Sequence, residues 1–296
     1  MNPREKGFLL LSSNLGDPLR KPLTTAQLRT LADRAWQMDV PEDERDLVPE
    51  DLMALGYGQE MARRIVSLLE QEDLLDYYIK KAAAKGCYPI TRVSEHYPLV
   101  LRKRLGLDAP GVLWAKGDVS ILEAGRIGFV GSRDLMPENK AFAAEAGHQA
   151  ALQGYTLVSG NARGADQTAQ NACLKAGGQV ISVVADDLSS HHSRENVLYL
   201  SLDEFDSAFS AQRALSRNRV IHALGKVTLV AQCSLKIGGT WDGSVKNLTH
   251  NWSPLFCFDD GSAAMEQLVL MGASYITKEQ LNLLDDLQPE AQSLFE

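Results

Sequence analysis

Beyond Arg126 the chain alternates between two patterns. Short apolar runs ("RIGFVGS", "YTLVSG", "QVISVVAD", "KVTLVAQC", "PLFCFD" and the weaker "VLYLS") are separated by longer stretches whose apolar residues return at helical spacing. Runs apolar on both faces suit strands covered by helices above and below, so the alternation predicts a doubly wound, mostly parallel α/β sheet. The intervening helices are expected near Glu138–Gln153, Ala165–Ala176, Ser207–Leu224, Asp242–Asn251 and Ser262–Met271.

The first 86 residues follow a helical period instead. "TTAQLRTLADRAWQM" opens with hydroxyl capping residues and sets Leu28, Leu31 and Ala35 on one helix face. "PEDLMALGYGQEMARRIVSLLEQ" reads as two helices joined at "GYG", and "EDLLDYYIKKAAAKG" as another ending at Gly86, a suitable left-handed cap. The sequence thus divides into a small all-helical domain (1–86), a Pro- and aromatic-bearing connector (87–125) and the α/β domain (126–296).

In open α/β sheets ligands bind beyond the C-terminal ends of the strands, so the loops there hold the candidate chemistry. The first strand is followed by Gly131, Ser132 and Arg133, the second by Ser159, Gly160, Arg163, Gly164 and Asp166. Glycines let the backbone approach an anion, helix N-termini offer free N–H groups, hydroxyls add donors, and a guanidinium grips phosphate with two parallel bonds. Tight turns alone would explain the glycines, but not an arginine in each loop. Both loops are therefore expected to hold phosphate. Asp166, at a helix start, suits capping or pairing with a loop arginine better than catalysis. "SRNRVIHALGKVTLV" adds Arg217, Asn218 and Arg219 ahead of a later strand, and "KIGGTWDG" adds Gly238, Gly239 and Thr240 as a turn behind it. Neither loop matches G-x-x-x-x-G-K-[ST], and the first lacks G-x-G-x-x-G, which disfavours an NTPase or an ordinary dinucleotide dehydrogenase.

Charge narrows the class of partner. The net charge is -8 over 296 residues, which excludes a protein coated in basic surface. The excess is local, with 3 Lys/Arg against 9 Asp/Glu in residues 227–296. Any nucleic acid would then be held in a groove. Four scattered cysteines (Cys87, Cys173, Cys233, Cys257) form no C-x-x-C pair and read as reduced packing residues. His191 and His192 read as a solvated loop pair, so no metal and no cofactor are expected. "MNPREKGFLLLSSNLGDP" lacks the sustained apolar segment of a secretory signal, and a cytoplasmic location is expected.

The motifs "VGSR", "VSGNARGAD" with its following "AGG", and "RNRVIHALGKVTLVAQ" together resemble the DNA-processing protein A (DprA/Smf) family, in the family's order across about residues 88–275. "YPLVLRKRLGLDAPGVLWAKGD" resembles the family's lead-in to the first strand. The resemblance implies a Rossmann-like domain that binds single-stranded DNA in its crevice, loads the RecA recombinase during transformation or repair, and pairs as a homodimer through the α/β domain. "LGYGQEMARRI" is similar to a helix-hairpin-helix of SAM-like domains, with Gly56 and Gly58 in the turn and Arg63 after it; a glycine helix corner accounts for the same residues equally well. The chain departs from the family where "SSHHSRENVLYLS" lacks a glycine turn and "YP", where "GGTWDGS" stands for the "SGS-TA" turn, and where "CFDDGS" replaces a proline-glycine ending. No winged-helix domain is expected after Glu296. It resembles a divergent member.

Two other classes compete. Cytokinin-activating phosphoribohydrolases on a related fold use P-G-G-x-G-T-x-x-E, of which "IGGTWDGS" keeps too little to support hydrolysis. A sensor of small nucleotides, as in phage defence, would use the same phosphate loops. With no nucleophile and base placed together by any motif, a non-enzymatic single-stranded DNA-binding protein is the expectation.

Overall fold

The computed structural model describes residues 1–35 and 46–288. The part of the "TTAQLRTLADRAWQM" helix beyond Ala35, and the chain from residue 289, lie outside the described residues.

The apolar runs become strands of one sheet. In chain order they are β1 (Tyr88–Thr91), β2 (Val112–Lys116), β3 (Arg126–Val130), β4 (Thr156–Ser159), β5 (Val180–Val184), β6 (Val197–Ser201), β7 (Thr228–Val230), β8 (Leu255–Phe258) and β9 (Ser274–Ile276). Their spatial order is β1-β2-β6-β5-β4-β3-β7-β8-β9. Every pairing from β6 to β9 is parallel, whereas β1–β2 and β2–β6 are antiparallel. The sheet is thus mostly parallel and Rossmann-like.

Helices α1 (Pro3–Ser12), α2 (Thr25–Ala35), α3 (Pro49–Ala54), α4 (Gln59–Leu69) and α5 (Glu72–Ala83) precede it. Then come α6 (Leu99–Leu105), α7 (Pro137–Leu152), α8 (Ala165–Lys175), α9 (Ala211–Leu224), α10 (Gly238–His250) and α11 (Ala263–Leu270). Among the described residues no helix is long and apolar enough to cross a membrane. The two-residue period of the strands sorts side chains between two cores. Ile127, Phe129, Leu157 and Leu229 join Phe142 and Ala146 of α7 and Ala169 of α8. Val130, Val158, Ile181 and Val230 join Leu101 of α6, Ile221 of α9 and Met265 of α11.

Two features differ from the sequence reading. Residues 87–125, read as a connector, contribute β1 and β2 to the sheet, because the antiparallel edge completes hydrogen bonding along β6. The helical region keeps a small core of its own around Leu52, Ile65 and Leu68. Yet Leu9 and Leu10 of α1 and Tyr78 of α5 are buried in the first sheet core. A polar seam accompanies this docking: the Ser13 hydroxyl and Asn14 N–H donate to Glu204 at 2.6 and 3.0 Å, and Lys81 donates to Asp206 at 2.7 Å. Burial pushes the Glu204 carboxyl up from its usual range.

Candidate nucleic-acid interface

Strand order decides where the crevice lies. The chain steps outward from β3 through β4 and β5 to β6, then returns to place β7 on the other side of β3. Neighbouring connections therefore leave the sheet in opposite directions between β3 and β7, opening a gap above their C-terminal ends. A crevice of roughly 520 Å³ lies there, lined by Gly131, Ser132, Arg133, Asp166, Arg217, Asn218, Gly238, Gly239 and Thr240 among others. An adjoining pocket of roughly 250 Å³ shares Arg133 and Arg217 and adds Gly160, Arg163 and Asp186.

The loop after β4 is committed largely to itself. Asp166, on the first turn of α8, is buried and accepts from Gly160 N–H at 3.1 Å and Ala162 N–H at 3.2 Å. These two backbone donors are consequently not free for a phosphate. Burial raises the Asp166 carboxyl above its usual range, opposed by the nearby Arg217 charge and the two N–H bonds. Arg217 is itself buried at 8% exposure, donates to the Val183 carbonyl, and lies flat against Gly160. A Cβ on Gly160 would run into the Arg217 guanidinium, so a side chain there would displace Arg217 from its place. Gly164 has φ +90°, and a Cβ there would lie 2.3 Å from the Arg133 carbonyl oxygen; it is where the two loops touch. Arg163 is exposed and pairs with Asp134 at 2.8 Å.

The loop after β3 presents its charge outward. Arg133 is exposed, lines both pockets, and has no hydrogen-bond or ion-pair partner among the described residues. Across the crevice Gly238, Gly239 and Thr240 are the first residues of α10, not the turn expected before a helix at Asp242. The cap residue Ile237 offers no side-chain acceptor, so the free N–H groups of this helix end lie at the crevice. Asn218 steadies it by donating to the Gly239 carbonyl at 3.0 Å.

Two candidates lie elsewhere. Ser159 is fully buried, its hydroxyl accepting from Gln170 at 2.6 Å, and does not line the crevice. Arg219 also fails to line it, because residues two apart on α9 point about 200° apart. It lies near Tyr97 instead. The helix expected near Ser207–Leu224 holds both arginines, as α9 does, but only Arg217 faces the crevice. Gly56, with φ +84°, Gly58, the N-cap of α4, and the exposed Arg63 sit together at the α3–α4 corner, away from the crevice lining.

Sequence reasoning missed Phe209. It is 57% exposed and lines both pockets, with Leu215 and Ile237 adding further exposed apolar rim. Its only signal is a lone aromatic in "DSAFSAQ", just ahead of Ser210, which caps α9 by accepting from Arg213 N–H. His191 is also not the solvated residue expected. Its ring stacks on Tyr199 at a centroid distance of 4.9 Å, and its Nε2 donates to Asp186 at 2.9 Å.

Comparison with known proteins follows the same lines. Residues 89–285 match the family model described as DNA recombination-mediator protein A. DNA processing protein DprA of Bacillus subtilis (strain 168) is 32% identical over 165 residues, 52% of this chain and 55% of that protein. Protein Smf of Escherichia coli (strain K12) is 28% identical over 211 residues, 66% of this chain and 55% of that protein. The chain spans about half the length of the curated relatives it matches. Among solved structures, DNA processing protein A of Streptococcus pneumoniae aligns with a TM-score of 0.69 at 22% identity, covering 90% of this chain and 94% of that one. That of Helicobacter pylori, described for its single-stranded DNA binding mode, aligns at 0.57 and 24% identity, covering 68% and 97%. Both likenesses concern the fold. The match across 89–285, on the segment that builds the sheet and its switch-point crevice, establishes that this chain belongs to the DNA recombination-mediator protein A family.

Proposed function

We propose that this chain binds single-stranded DNA along the switch-point crevice, without performing chemistry on it. The observation that carries this reading is the meeting of an unpaired guanidinium (Arg133), an uncapped helix end (α10) and an exposed aromatic ring (Phe209) in one groove. The first two suit phosphate, and the ring suits an unstacked base. A duplex keeps its bases paired inside and would leave Phe209 without a partner. That the Helicobacter pylori relative is described as binding single-stranded DNA supports the choice of ligand.

The absence of chemistry is supported by the state of the crevice's reactive groups. Burial pushes the Cys233 thiol up to about 12, so it stays protonated at neutral pH. The Ser132 hydroxyl accepts from Asp134 N–H at 3.3 Å, and the Asp166 carboxylate is occupied by backbone donors. Nucleophilic catalysis needs a base aimed at the attacking group, and among the described residues none is hydrogen-bonded to these three in that role. Loading of RecA and pairing as a homodimer are further parts of the proposal and rest on the family resemblance; a cytoplasmic setting is proposed from the composition of the N-terminal segment.

A fluorescence titration with a thirty-nucleotide oligothymidine, its duplex and thymidine monophosphate tests the reading. The single strand should bind most tightly, and its affinity should fall steeply with salt as counterions are released. Tighter binding of the mononucleotide would replace DNA with a small-nucleotide ligand.

A further inference from the structure

The pocket beside the crevice contains a group that a phosphate site would avoid. Asp186 follows β5 and lines the same pocket as Arg133, Gly160, Phe209 and Arg217. Its side chain is 48% exposed. His191 holds it in place, donating from Nε2 to Oδ1 at 2.9 Å while its own ring is braced on Tyr199. That hydrogen bond holds the carboxyl below its usual range, so it is ionised at neutral pH. A fixed carboxylate repels a phosphate. It does not repel the hydrogen-bond donors on the edge of a base.

On the reading that the crevice binds single-stranded DNA, we propose that Asp186 is a base-reading residue that favours guanine in the pocket beneath Phe209. Guanine alone among the four bases presents two adjacent donors, N1–H and the N2 amine, which a carboxylate accepts together. Thymine offers one N–H flanked by two carbonyls that the carboxylate repels. Adenine sets an acceptor beside its amine, and cytosine does the same. Apart from the His191 bond and its own backbone N–H, no other residue among those described hydrogen-bonds the Asp186 carboxylate, which keeps acceptor capacity for a base edge. The crevice is then electrostatically divided. Arg133 and the end of α10 take the backbone, while Phe209 and Asp186 take one base, the ring by stacking and the carboxylate by its edge.

The experiment compares a twenty-nucleotide all-thymidine oligonucleotide with copies in which one central thymidine is replaced by deoxyguanosine, deoxycytidine or deoxyinosine, which lacks the N2 amine. A bidentate edge contact predicts about tenfold tighter binding of the guanine copy than of the all-thymidine strand, with inosine between. Asp186→Asn should bring the guanine and thymidine copies within about twofold of each other. It should also raise all-thymidine affinity slightly, since a negative charge leaves the pocket. His191→Phe, which keeps the stack on Tyr199 but frees the carboxylate, should weaken the preference without abolishing it. If the all-thymidine strand binds but guanine adds nothing, or if Asp186→Asn keeps the preference, base reading by Asp186 is wrong and the DNA-binding reading survives. If no single strand binds at all, both fall together.

Discussion

The loops after β3 and β4 look alike in sequence, each with a glycine and an arginine between strand and helix, yet they are used in opposite ways. In the second, Asp166 takes the backbone donors of Gly160 and Ala162, Arg217 covers Gly160, and Arg163 is paired with Asp134. In the first, Arg133 stands free in the crevice. The lesson is that a loop with a glycine and an arginine has a fixed supply of donors, and neighbouring acceptors decide how many remain for a ligand. One loop is scaffold, and it holds the other in position through Gly164.

The contrast is broken most strongly at Arg217. Arg217→Ala would leave the Asp166 carboxylate buried without its compensating charge, and should cost ~3–5 kcal/mol in urea-induced unfolding. A loss below about 1 kcal/mol would show that the second loop is not held by that charge pair.

Acid should act next. His222, on α9 against Gly243 of α10, is fully buried with neither ring nitrogen hydrogen-bonded among the described residues, and burial lowers it to about 3 from 6.5. Between those values the unfolded chain binds a proton that the folded chain refuses. Stability is therefore complete above pH 6.5 and is lost as pH falls toward 3. The loss should reach a few kcal/mol, at ~1.4 kcal/mol per pH unit, and His222→Leu should remove that part of the slope in unfolding measured across pH. Asp166 has the opposite sign: its folded value is raised, so its contribution is present at low pH and lost as pH rises through that value. An acid slope unchanged in His222→Leu would place the titrating group elsewhere.

The smallest effects separate the two loop arginines directly. Arg133→Ala should weaken oligothymidine binding about tenfold and flatten the salt dependence by about 0.7 in log–log slope, as expected for one lost phosphate contact. Arg163→Ala should cost less than about threefold, because its guanidinium is exposed and already engaged by Asp134. Equal effects, or a larger one at Arg163, would reverse the assignment.

Much of this molecule was legible before any coordinate. The six apolar runs from Arg126 to Asp259 each contain a strand, since a run apolar at every position has few other homes than a sheet covered on both sides. The loops after β3 and β4 could be placed at one end of that sheet from chain direction alone. What sequence could not contain is competition for partners. "NARGAD" does not state that Asp166 turns back onto Gly160 and Ala162, because that depends on Arg217 arriving from α9, 51 residues later, to offset a buried charge. That Arg217 and not Arg219 faces the crevice required knowing which side of α9 packs on the sheet, and the start of α10 at Gly238 rather than Asp242 goes with the Asn218 bond to the Gly239 carbonyl. Strands β1, β2 and β9 escaped notice; they lie toward the two ends of the sheet, with β1 and β9 at its edges. Local pattern sets which residues are buried, whereas the free or occupied state of a donor is decided by whatever the folded chain brings next to it.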